Sequence, residues 1–201
     1  MKPILVIQAS PQGEQSLSRK ITGEFLSQHA ERFGKKAITE RDLTKDLLPH
    51  ISGEFVAAMF VPPAGRTPDM VKTLAKGNQL VDELIAHDEI VISTPMYNNT
   101  VPSSLKAWID HIVLPGRTFN FGSDGIKGLL EGKVLYFICG TRDTYSTGPR
   151  QHEDFLTPYI KQIMGVIGIK DVRPIYVEGV VRDREAALAN ARKHIESALK
   201  G

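Results

Sequence analysis

A doubly wound α/β fold, a parallel sheet with helices on both faces, is what this 201-residue sequence predicts. Short apolar, largely β-branched runs recur along it without polar alternation, as strands buried on both faces require. Longer stretches of helical periodicity separate those runs, and clusters of Pro, Gly and Asn mark the junctions. Strands alternating with helices in this way form a parallel sheet rather than a sandwich or a bundle.

The elements follow in order. Ile4-Leu5-Val6-Ile7 centres a strand over 3–8, and Leu17, Ile21, Phe25 and Leu26 give the helical face of 16–33. Residues 36–43 alternate and read as an edge-like second strand. A helical stretch at 51–59 is broken by Val61-Pro62-Pro63-Ala64-Gly65-Arg66-Thr67-Pro68. Helix 69–87 follows, with Met70, Leu74, Leu80, Val81, Leu84 and Ile85 as its apolar face. Strand 89–94 then leads to helix 102–113, strand 133–139 to helix 152–166, and strand 172–177 to helix 182–200. The link 114–132 carries too much Gly and Phe for a plain connection, and long loops of this kind often bind ligands. Two βαβ halves give the strand order 2-1-3-4-5, with a switch point between strands 1 and 3. No repeat or second domain is visible.

In such a sheet, ligands bind outside the carboxyl ends of the strands. After strand 1, Ser10 and the group Ser16-Leu17-Ser18 gather hydroxyls and free N–H groups at a helix N-terminus, an arrangement that suits phosphate. Ser16 or Ser18 can equally be a plain N-cap, and Arg19 and Lys20 read as solvated. Neither a P-loop nor a dinucleotide fingerprint is present. After strand 3, Pro95-Met96-Tyr97-Asn98 offers a flat aromatic, a thioether and an amide, which suit a planar heterocycle. A simple connecting turn is the alternative. After strand 4 comes Gly140-Thr141-Arg142-Asp143, where small residues allow close approach, with Tyr145 near the ring or merely in a turn. A phosphate site and a ring site meeting in one crevice describe a mononucleotide, and FMN is the expected occupant of this sheet order.

Composition narrows the classes. Forty-one per cent hydrophobic and 24% charged residues are ordinary for a soluble globular domain, and a net charge of +2 with scattered Lys and Arg argues against nucleic acid. No run is long enough to span a membrane, and no signal-peptide core is seen. A single cysteine, Cys139, fits a reducing cytoplasm and reads as a buried thiol. His50, His111 and His152 read as surface or structural groups, Asp88-Glu89 and Glu153-Asp154 as solvated helix ends, and Trp108 as core rather than a dimer contact. No spacing suggests a metal.

Ala9-Ser10, Ser16-Leu17-Ser18, Pro95-Met96-Tyr97-Asn98, Leu105-Lys106-Ala107-Trp108-Ile109-Asp110 and Gly116-Arg117-Thr118-Phe119 together resemble the FMN-dependent NADH-azoreductase and quinone reductase family, nearly end to end. The resemblance implies a flavodoxin-like fold, with one FMN per subunit and NADH as donor. Ser10 and Ser16 to Ser18 would hold the phosphate. Pro95 to Asn99 would lie along the isoalloxazine, and Gly140 to Asp143 would close its other edge. Quinones or azo compounds would accept two electrons by ping-pong hydride transfer through the flavin N5, with no catalytic side chain. A homodimer with the site at its interface is also implied. Phe119, Phe121 and Tyr145 are candidates to stack on substrate, with packing under the loop the alternative for the two Phe residues, and segment 60–68 is a candidate second wall across the dimer.

Two departures from the family pattern stand out. Asn99 replaces the usual Phe, removing an aromatic from the flavin-side wall. Gly140-Thr141-Arg142-Asp143 replaces Ser-Arg-Gly-Gly, and Asp143 is expected to bring negative charge toward the flavin. FMN is expected to remain bound with an altered potential or pocket shape. A flavodoxin-like one-electron carrier is the competing reading, but such carriers tend to be acidic, and the pI here is about 8.6. A receiver-type module would need acidic residues where Ala9-Ser10 and Thr94-Pro95 stand.

Overall fold

The first apolar run forms β1 (Ile4–Gln8), and all of its residues are buried. The computed structural model describes residues 3–200. Four more parallel strands join β1: β2 (Ile38–Asp42), β3 (Glu89–Pro95), β6 (Val134–Gly140) and β7 (Asp171–Val177). Their spatial order is β2-β1-β3-β6-β7, the 2-1-3-4-5 order read from the sequence. Pro174 sits in β7, an edge strand, where a missing N–H costs no internal ladder bond.

Helices cover both faces. α1 (Leu17–Phe33) and α6 (Arg184–Lys200) lie on one side, against Ile4, Val6, Val91, Tyr136, Ile138 and Ile175. On the other side α2 (Gly53–Met59), α3 (Pro68–Ala86), α4 (Ser103–Ile112) and α5 (Thr157–Val166) cover Leu5, Ile7, Ile90, Ile92 and Phe137. Alternate strand residues feed the two cores, as the period of two demands. Trp108 of α4 is 1% exposed and belongs to the core. No described helix is long and apolar enough to cross a membrane.

Three local readings need correction. The helix expected from 152 begins at Thr157, because Asp154 Oδ1 accepts from the N–H groups of Leu156 and Thr157 at 2.9 Å each and starts a new helix there. Glu153, expected to be solvated, pairs with Arg150 at 2.6 Å. Glu89 likewise lies within β3 and meets His29 Nε2 at 3.1 Å and the Lys36 ammonium.

The 114–132 link contains a hairpin, β4 (Phe119–Gly122) and β5 (Gly125–Gly128), pairing Phe119 with Gly128 and Gly122 with Gly125. Buried Thr118 ties it to the end of α4 by donating to the Ile112 carbonyl at 2.7 Å. Leu129 and Leu130 both donate to the Ile167 carbonyl, at 3.1 and 2.9 Å, just beyond α5. A Cβ on Gly128 would lie 2.2 Å from the Gly168 nitrogen, so two backbones meet there and only glycine fits. The hairpin is thus anchored at the amino end of the sheet, where β6 and β7 begin.

Candidate functional site

At the opposite end, backbone bonds draw the strand ends together. Ala9 N–H donates to the Ser93 carbonyl, Met96 N–H to Gly140, and Thr141 N–H to Val177, at 2.9, 2.9 and 3.0 Å. A cavity of about 240 Å³ opens between the loops after β1, β3 and β6. Ser10, Ser16, Leu17 and Ser18 line it from the first loop. Pro95, Met96 and Tyr97 line it from the second, and Gly140, Thr141 and Arg142 from the third.

The first loop is held from behind. Ser16 caps α1, accepting from Arg19 N–H at 3.4 Å, and its hydroxyl lies 3.0 Å from that of Ser18. Arg19 is not solvated as its sequence position suggested. Its guanidinium donates to both Asp42 carboxylate oxygens at 2.9 Å and to the Ser10 carbonyl at 2.8 Å. Burial opposes ionisation of Asp42, but the bonds from Arg19 and Thr44 outweigh it and hold that carboxyl well below its usual range. The fork geometry of Arg fixes the loop in two directions at once.

The second loop turns through Asn98 and Asn99, with φ of 49° and 63°, while Tyr97 and Thr100 exchange backbone bonds of 3.0 Å. Asn tolerates this left-handed region better than a bulky residue, which accounts for two consecutive Asn residues in the turn. Asn99 lies outside the cavity lining, and its carbonyl accepts from Phe155 N–H at 3.1 Å. Asn98 is exposed and lines a neighbouring cavity instead.

In the third loop the Asp143 carboxylate is not free to face a ring. It pairs with Arg150 at 2.6 Å and Arg182 at 3.4 Å, outside the cavity. Tyr145 is 8% exposed beneath the Arg150 guanidinium, 4.7 Å from its ring centre, and does not line the cavity. Glu178 secures this loop by accepting from the N–H groups of Tyr145 and Ser146 at 2.8 Å. Cys139 is buried at the end of β6, and burial pushes its thiol well up, with Asp154 and Glu178 adding to the effect. Phe119 and Phe121 lie in the hairpin at the far end of the sheet, so one chain does not bring them to its own crevice.

Sequence reasoning missed Gln12, Val177 and Val180, which complete the lining. Val177 ends β7, so the rule placing ligands at strand carboxyl ends pointed toward it. Gln12 and Val180 left no such signal.

The donor set suits FMN. Among the described residues no Asp or Glu lines the cavity, hydroxyls cluster at the N-terminus of α1, and Met96, Val177 and Val180 give apolar surface for a ring. Bare backbone at Gly140 keeps the cradle open, since a Cβ there would fill the gap to Ser18 Cβ at 3.6 Å.

A family model described as flavodoxin-like fold matches residues 2–199. The FMN-dependent NADH:quinone oxidoreductase of Herminiimonas arsenicoxydans is 40% identical over 202 residues, covering 99% of each chain. That of Nostoc punctiforme is 38% identical, covering 99% of this chain and 98% of its own. The chain belongs to the flavodoxin-like family of FMN-dependent NADH:quinone oxidoreductases. Within that family, an FMN-dependent NADH-azoreductase from Bacillus anthracis str. Ames Ancestor, solved in complex with FMN, matches with a TM-score of 0.87 at 25% identity, over 98% of both chains. An azoreductase from Bacillus anthracis str. Sterne gives the same score and identity over 100% of this chain and 98% of its own.

Proposed function

We propose that this chain is an FMN-dependent NADH oxidoreductase that reduces quinones and aromatic azo compounds in the cytoplasm. The convergence of three loops on one carboxylate-free cavity carries the reading, and the activities for which the relatives are named support the donor and acceptors. Bound FMN supplies the hydride-accepting and hydride-donating centre that no side chain here offers. Ser10, Ser16 and Ser18, with the first N–H groups of α1, hold the phosphate. Pro95, Met96 and Tyr97 flank the ring, with Asn98 and Asn99 setting the turn at its edge. Gly140, Thr141 and Arg142 border the other edge, and Asp143 acts on that loop through Arg150. Donor and acceptor take turns at the same open crevice, which makes the kinetics ping-pong.

The hairpin supports a homodimer. Phe121 is 66% exposed and Phe119 packs edge-on beneath it, at a ring distance of 5.3 Å. Anchored at the amino end of its own sheet, Phe121 can face a crevice only in a second copy. Phe60, beside the 61–68 break, is similarly bare at 57%.

Anaerobic stopped-flow mixing of the FMN-loaded protein with NADH tests the reading. Bleaching of the visible flavin band in one step, restored by a quinone, is the expected result. A flavin that stays oxidised with NADH yet takes single electrons from another donor replaces it with an electron carrier.

A further inference from the structure

Beside the flavin crevice lies a second, wider cavity of about 500 Å³. Tyr97 belongs to both linings, so the two cavities adjoin at that residue. Val101, Pro102 and Tyr159 give the second cavity apolar walls, and Lys106 is the one charged side chain in its lining. A flat molecule lying in the crevice can therefore continue past Tyr97 without leaving protein surface.

Lys106 is half exposed on the first turns of α4, where its ammonium donates to Asp110 Oδ1 at 2.5 Å. That exposed i,i+4 pair is weak, and it uses one of three ammonium N–H groups. The hydrogen bond to Asp110 also raises the Lys106 pKa, so the group stays charged. Burial raises the Tyr159 phenol, which keeps it a donor. The N-cap of α4 is Pro102, which supplies no capping side chain, and the positive end of the helix meets the same cavity. The charged ammonium of Lys106 and the amino end of α4 thus favour negative charge on a ligand that is otherwise flat and apolar.

We propose that the cavity at Lys106 is an acceptor subsite for anionic aromatic compounds, taking the carboxylate or sulfonate of an azo arene whose reducible bond lies in the flavin crevice. This deepens the functional reading above and rests on it. Lys106 sets acceptor preference and takes no part in hydride transfer. Asp110 tempers the site by competing for the ammonium.

The test uses one azo scaffold in neutral, carboxylated and sulfonated forms. For each, KM is measured under saturating NADH, and Kd is measured with oxidised FMN-loaded protein in the absence of NADH. Lys106→Met is expected to raise KM and Kd for the charged forms about 10-fold or more, the size of one lost charge-assisted hydrogen bond. The neutral form should shift less than twofold, Lys106→Arg should stay near wild type, and Asp110→Asn should tighten the charged forms. Comparison of the two charged forms shows which anion is preferred. Equal losses for neutral and charged forms, or no loss for either, overturn the subsite. Because Kd is read without NADH, a protein that binds anions but is not reduced by NADH would fail the functional reading and leave this one standing.

Discussion

At the amino end of the sheet, buried His29 meets the partly buried pair of Lys36 and Glu89, and buried Lys133 donates to the Ile85 and His87 carbonyls at 3.1 and 2.6 Å. At the carboxyl end, Ser10, Ser16 and Ser18 are just as buried, yet their hydroxyls border an open cavity and bond chiefly to backbone and to each other. The difference separates two uses of buried polarity. Where partners are complete, polar groups fix geometry and close off chemistry. Where hydroxyls are positioned from behind by Arg19 and Asp42 but keep capacity toward the cavity, they form a binding surface.

Substitutions should break the two ends differently. The largest effect is expected from Gly128→Val, whose Cβ would strike the Gly168 backbone at the amino end. A loss of about 3 kcal/mol or more in urea unfolding should follow, since neither backbone can move without undocking the hairpin. A neutral result would mean that the hairpin is not held there. Next, Ser18→Asp places a carboxylate in the phosphate-facing lining. FMN affinity should fall about 100-fold, roughly 2.7 kcal/mol, while apo stability stays near wild type because Asp is tolerated in a first helical turn. Fluorescence titration with FMN measures it, and unchanged affinity would remove the first loop from the site.

A smaller effect is expected from Glu89→Gln, at roughly 1–3 kcal/mol. Burial opposes ionisation of Glu89, but hydrogen bonds from Lys36 and His29 outweigh it and lower its pKa below the ordinary 4.5. A carboxyl depressed on folding contributes stability that is complete above its unfolded value and is lost as pH falls through the folded one. Wild-type stability should therefore drop below about pH 4.5, and the variant should lose part of that dependence while its FMN affinity at neutral pH is unchanged. Equal acid sensitivity in both proteins would show that the amino-end cluster is not what acid disrupts.

Much of the crevice was legible because strand ends are written locally. The apolar runs ending at Gln8, Pro95 and Gly140 mark where the sheet stops, and the following residues must be loops at one edge. The Phe-Asn-Phe alternation and the Ser123-Asp124 turn of the hairpin are hairpin signals, but they are too short to stand out in a link rich in glycine. Arg19, on α1, was misread because its partner Asp42 lies 23 residues away at the end of β2.

The sequence by itself determined the strand order, the end of the sheet that carries the site, and the chemistry of its loops, since all three follow from short-range periodicity and residue type. Only the tertiary structure decided which charges are free. Asp143 is neutralised by Arg150 and Arg182, Tyr145 is buried under a guanidinium, and Phe119 and Phe121 are carried to the opposite end of the sheet. Charge pairing and burial depend on which distant elements pack together, and no local window of sequence holds that information.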